Sequence, residues 1–96
     1  MTITEFLEAR IAEDEKQALK HQGSASSHGW GDYIARVLAE CAAKRAIIEL
    51  VDQVEAMEYQ ITNEWGGGFE GTGENILQAL AAAYKDHADY QQEWAL

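Results

Sequence analysis

Proline is absent from this chain, and cysteine occurs once. With Cys41 as the single thiol, no intramolecular disulfide can form. No run of eighteen apolar residues occurs, which argues against a membrane-spanning helix. The opening, MTITEFLEARIAEDE, lacks the basic start and apolar stretch of a signal peptide. Together these absences predict a soluble protein of a reducing cytoplasm. Bulky apolar side chains are scarce too. The apolar fraction is 47%, but sixteen residues are alanine, which buries little area. A single 96-residue domain built this way has a thin core, and self-association would add burial.

Positive charge is missing from Ala46 through Tyr84. Residues 1–45 hold seven acids and six bases, whereas residues 46–96 hold ten acids and one base, Lys85. The net charge is −10. Such a surface repels phosphate, so direct contact with nucleic acid or an anionic membrane is not expected. It suits solubility. It also suits an acidic face for a basic protein partner, with mimicry of nucleic acid as one version.

What remains is helix. TITEFLEARIAEDEKQALKH reads as a first helix, with Thr2 and Glu5 spaced for a capping box. Ile3, Phe6, Leu7, Ile11, Ala18 and Leu19 fall on its apolar stripe, and EDEKQ interrupts it as a solvated patch. Loop residues follow through Gly31, with Trp30 expected to fold back on a helix end. Asp32 is placed to cap a second helix of about thirty residues, roughly 45 Å long. Its first apolar face is Ile34, Val37, Leu38, Cys41 and Ile48; Leu50, Val54, Met57 and Ile61 lie on a rotated one, with Val51 between. That rotation predicts either a bend or break near Asp52 or two sets of neighbours, the later half meeting another copy of the chain. A glycine-rich connection, NEWGGGFEGTGEN, carries Trp65 and Phe69, and Thr72 is placed to cap a third helix. The expected fold is all-α, a small three-helix assembly with a long central helix.

Motifs of chemistry are weak. Gly66, Gly68 and Gly71 match G-x-G-x-x-G, but a helix precedes them where a dinucleotide site needs a strand, and Glu64, Glu70 and Glu74 flank them. His21, His28, His87 and Cys41 lack the close pairing of zinc ligands. Ser24, Ser26 and Ser27 have neither a positioned base nor an oxyanion site. Cys41 reads as a core residue. Lys44 and Arg45 read as local ion pairs with Glu40 and Glu49, four residues away in each case.

FLEARIAEDE, RVLAECAAKRAIIEL and ILQALAAAYKDHADYQQEW together have a familiar order and spacing. The chain resembles a family of small acidic proteins, uncharacterised in function, from actinobacteria and their phages. The resemblance implies an intracellular bacterial or phage setting and transfers no catalytic residue. Relatives tend to place prolines on either side of the Tyr-x-Asp-His step. Here those positions are Ala83 and Ala88, which predicts that the third helix runs on through His87.

The C-terminal segment has two readings. As a clasp, Tyr90 and Trp94 lie across the first two helices and enlarge a thin core. As a recognition patch, Asp86, His87, Asp89 and Glu93 surround aromatic anchors. The functional expectation is a non-enzymatic interaction protein, a homodimer, that binds a cellular protein through Trp65, Phe69, Asp86, His87, Asp89, Tyr90 and Trp94, with no cofactor and no metal. The contrasting expectation is a small metal- or ligand-dependent enzyme using Tyr84, Asp86, His87 and Asp89.

Overall fold

The computed structural model describes residues 1–21, 30–65 and 71–96, with the backbone alone at residue 30 and residues 62–65. Helix α1 spans Ile3–Lys20, α2 spans Trp30–Trp65 and α3 spans Thr72–Ala81. Two 3-10 turns, Ala82–Tyr84 and Gln92–Trp94, follow. No strand occurs among the described residues, so the fold is all-α with a long central helix. The expectations for Trp30, Trp65 and Phe69 side chains, and for the segments 22–29 and 66–70, lie outside the described residues.

The start of α1 is fixed as the sequence requires. Thr2 Oγ1 accepts from the Glu5 amide at 3.1 Å, and Glu5 Oε1 accepts from the Thr2 amide at 2.9 Å. Two backbone donors that the helix leaves open are thereby satisfied. Ile3, Phe6, Leu7, Ile11 and Ala18 are buried. Leu19 is not on this stripe; it is 54% exposed. At about 100° per residue it sits roughly 80° off the line of Ile11, whereas Ala18 returns to within about 20° of it.

Helix α2 begins at Trp30, so Asp32 lies in its first turn and complements the helix dipole instead of capping it. The helix is unbroken over 36 residues, so no break occurs near Asp52. Ile34, Cys41, Ile48 and Val51 form its buried line. Leu50 and Met57 stand 54% and 59% exposed, and Val54 and Ile61 are half-buried.

The cap of α3 is Gly71 at φ 91°, a conformation in which a Cβ is strained, and Thr72 is the first helical residue, not the cap. The first turn is held from α2: Glu58 Oε1 accepts from the Gly73 amide at 3.0 Å. A Cβ at Gly73 would stand 2.7 Å from Glu55 Cγ and 3.3 Å from Val51 Cγ1. Glycine therefore allows the closest approach of α3 to α2. Leu77 and Ala81 enter the core one and two turns later.

Helix α3 stops at Ala81 and does not run through His87. The chain turns instead, with the His87 amide donating to the Tyr84 carbonyl, Tyr90 to His87 and Trp94 to Gln91, all at 2.9–3.0 Å. A straight helix would carry Trp94 about 20 Å beyond Ala81. The turns bring it back to the start of α1, where it is 6% exposed. Trp94 joins Phe6, Leu7, Ile48 and Leu77 in one continuous core, and a smaller cluster of Ala18 and Ile34 closes the other end of the α1–α2 pair. The molecule is elongated, 58 × 25 × 18 Å.

Candidate functional site

Phe6 is fully buried and lies among four other rings. Its centroid is 5.0 Å from Trp94, 5.7 Å from His87 and 6.2 Å from both Tyr84 and Tyr90. Tyr84, His87 and Tyr90 meet it edge to face, the arrangement that ring quadrupoles favour. The sequence reading placed Phe6 on a stripe but gave no sign that it organises the C-terminus. The signal lay in four rings, Tyr84, His87, Tyr90 and Trp94, crowded into one short segment.

Polar atoms surround this aromatic centre. Arg10 lies 6.0 Å over the Phe6 ring, and its Nη1 contacts His87 Nε2. The Asp89 amide faces His87 Nδ1 at 3.0 Å. Both ring nitrogens thus meet donors, but a neutral imidazole has one acceptor nitrogen. Arg10 and the Asp89 amide compete for it. Arg10 Nε is buried and has no hydrogen-bond partner among the described residues.

A second polar chain crosses from α2 through the C-terminal segment to α1. Lys44 Nζ donates to the Tyr84 hydroxyl at 3.1 Å, and that hydroxyl donates to Asp14 Oδ2 at 2.7 Å. Burial pushes the Tyr84 phenol up, and the bond to Asp14 adds to this. Burial works against the Lys44 ammonium, but its bond to Tyr84 and the charge of Asp14 outweigh that and raise it. Arg45 pairs with Glu15 of α1, and that hydrogen bond holds the Glu15 carboxyl below the usual range. Neither contact is the local one expected. Lys44 and Arg45 reach across to other segments, and Asp14 and Glu15 are half-buried partners, not a solvated patch. Cys41 is 2% exposed, and burial, then the charges of Asp14 and Glu15, raise its thiol. It is a protonated core residue at neutral pH.

A cleft of about 390 Å³ opens beside Lys44 between α1 and α2. Asp14, Glu40 and Lys44 line it together with Ala18, Ile34 and Cys41. Among the described residues, no group of three or more His, Cys, Asp or Glu is arranged to hold a metal ion.

The C-terminal candidates divide by depth. Trp94 is buried, Tyr90 and His87 are half-buried, and Asp86, Asp89 and Glu93 are exposed. Tyr90 and Trp94 contact each other edge to face at 5.7 Å. Tyr84 is drawn away from Asp86 and Asp89 into the bond with Asp14.

No curated protein and no solved structure matches the chain. The model of a family of unknown function, DUF6221, matches residues 1–96, and the chain belongs to that family.

Proposed function

We propose that this protein is a non-enzymatic interaction module that binds a basic protein surface through the turn after α3. The observation that carries the reading is that this turn is tied down at both ends. Trp94 anchors one end in the core, Tyr84 anchors the other, and three backbone hydrogen bonds set the path between them. Asp86, Asp89 and Glu93 are held outward from this frame, beside half-buried Tyr90 and His87. Ordered charge beside an aromatic edge lowers the entropy lost on binding. The resemblance noted from the sequence favours an actinobacterial or phage-infected cytoplasm, with a host protein as the partner.

The test is a pull-down from an actinobacterial lysate at low and high salt, with the native chain beside D86N/D89N/E93Q. A single partner kept at high salt and lost by the triple variant is the expected result. A set of basic proteins that disappears at high salt would favour nucleic-acid mimicry. Equal capture by both chains would remove the acidic turn from the argument.

The cleft favours a second reading, a ligand-dependent activity. Its volume is within the range of small-molecule sites, and Asp14, Glu40 and Lys44 supply charge of both signs. Metal analysis of the purified protein tests the metal-dependent form of that reading, and a stoichiometric metal would raise it above the first.

A further inference from the structure

The side of α2 that faces away from the core has a composition unlike the rest of the molecule. At about 100° per residue, Ile34, Cys41, Ile48 and Val51 centre on one side of the helix. Opposite them, a strip about 80° wide runs from Ala39 to Ile61, about 33 Å along the axis, with Gln53 and Gln60 along one edge. It holds no charged side chain, in a chain with net charge −10. Ala39, Ala43 and Ala46 occupy its first half and Val54, Met57 and Ile61 its second, with Leu50 between. All seven are exposed or half-buried. None of them belongs to the acidic turn, so this surface is independent of the function proposed above.

We infer that this strip pairs with the same strip of a second copy, antiparallel, about a two-fold axis at Leu50. Two features select that partner and direction. The first is size. In an antiparallel pair centred on Leu50, facing positions sum to 100: Ala39 meets Ile61, Ala43 meets Met57 and Ala46 meets Val54. Each large side chain faces a methyl group, so the two helices interdigitate at close approach. A parallel pair stacks alanine on alanine at one end and large on large at the other. The second is charge. From Ala46 to Ile61, α2 carries Glu49, Asp52, Glu55 and Glu58 and no base; before Ala46 it carries Arg36 beside Glu40, while Lys44 and Arg45 are turned to Tyr84 and Glu15. Antiparallel pairing sets each acid-only half beside the half that holds Arg36, whereas parallel pairing sets acid beside acid. A closed two-fold contact uses the same surface twice and leaves no open end. The sequence expectation gave the second copy only the later half of α2; here both halves take part, each completing the other.

Light scattering at tens of micromolar, with A43C, M57C and L50E beside the native chain, tests this. The native chain should show twice 10.7 kDa. L50E should halve that mass with helicity unchanged, because Leu50 is already half exposed. Under mild oxidation, a mixture of A43C and M57C should give the mixed disulfide, while A43C alone should give none. Buried Cys41 stays in place. In the antiparallel register, residue 43 and its own copy lie about 21 Å apart along the axis, beyond the roughly 7 Å reach of a disulfide. A native monomer overturns the proposal and leaves the strip to another protein's helix. A dimer that survives L50E places the interface elsewhere. A disulfide from A43C alone, or none from the mixture, overturns the direction and register.

Discussion

Trp94 stands two residues from the last residue of the chain and yet is part of the core. Replacing it with alanine should cost about 3–5 kcal/mol, the range for a buried aromatic. That is much of the roughly 5–10 kcal/mol available to a domain of this size. Urea unfolding of W94A should show the loss as a shifted midpoint. Tyr84→Phe removes one hydroxyl from between Lys44 and Asp14 and should cost about 1 kcal/mol. Both Tyr84 and Lys44 hold their protons more tightly when folded. Their contribution is therefore complete below about pH 10 and fades as pH climbs through their folded values. Thermal melts from pH 8 to 11 should fall less steeply for Y84F than for the native chain. Glu15 has the opposite sign. Its folded carboxyl is held low by Arg45, so its contribution is present above about pH 4.5 and is lost as pH falls below that. Glu15→Gln should flatten the acid limb of the same melts. At this scale the sequence was legible where partners are local. Thr2 and Glu5 three residues apart could be read directly, and so could Cys41 on its stripe. Arg45 could not, because Glu49 on its own helix and Glu15 on another offer equivalent carboxylates, and only the packing of α1 on α2 brings Glu15 within reach.

Helix boundaries follow the same division. The start of α1 is encoded by its capping box, and the start of α3 by backbone freedom at Gly71. Gly71→Ala should cost about 1 kcal/mol, since its φ of 91° is unfavourable for a residue with a Cβ. Gly73→Ala gains helix propensity, about 1 kcal/mol, but drives a methyl into Glu55 and Val51. Overpacking of this kind costs about 1–3 kcal/mol, so the balance should be a net loss, seen as a lower melting temperature. The end of α3 was the least legible boundary. Alanine at 83 and 88 permits helix, and the local signal points to continuation. Trp94 and Tyr84 override it, because their burial against Phe6 and Asp14 requires the chain to turn after Ala81. The continuity of α2 was legible as a possibility, from the absence of glycine and proline between Gly31 and Gly66. Its change of apolar face was legible too. What that change is for depended on knowing which side of α2 the other helices cover.

The whole molecule is acidic and long. A charge of −10 on 96 residues makes the folded chain repel itself. Raising salt from about 10 mM to 200 mM shortens the Debye length from about 30 Å to less than 10 Å and should raise the melting temperature. The candidate site is also a property of this scale. The acidic turn could be read as a cluster in the sequence, but its outward presentation depends on a tail that folds back over α1. The radius of gyration is 16.7 Å, where a compact chain of this length has about 12.5 Å. Helix α2 sets that length, and it therefore also sets how the molecule turns in solution. Rotation about the long axis is faster than end-over-end rotation, so amide vectors of α2, which lie along that axis, relax differently in NMR from those of the C-terminal turn. A second copy laid alongside thickens the particle without lengthening it much. Dimerisation would then slow tumbling while making it more nearly isotropic, whereas end-to-end association would slow it and sharpen the contrast between α2 and the turn.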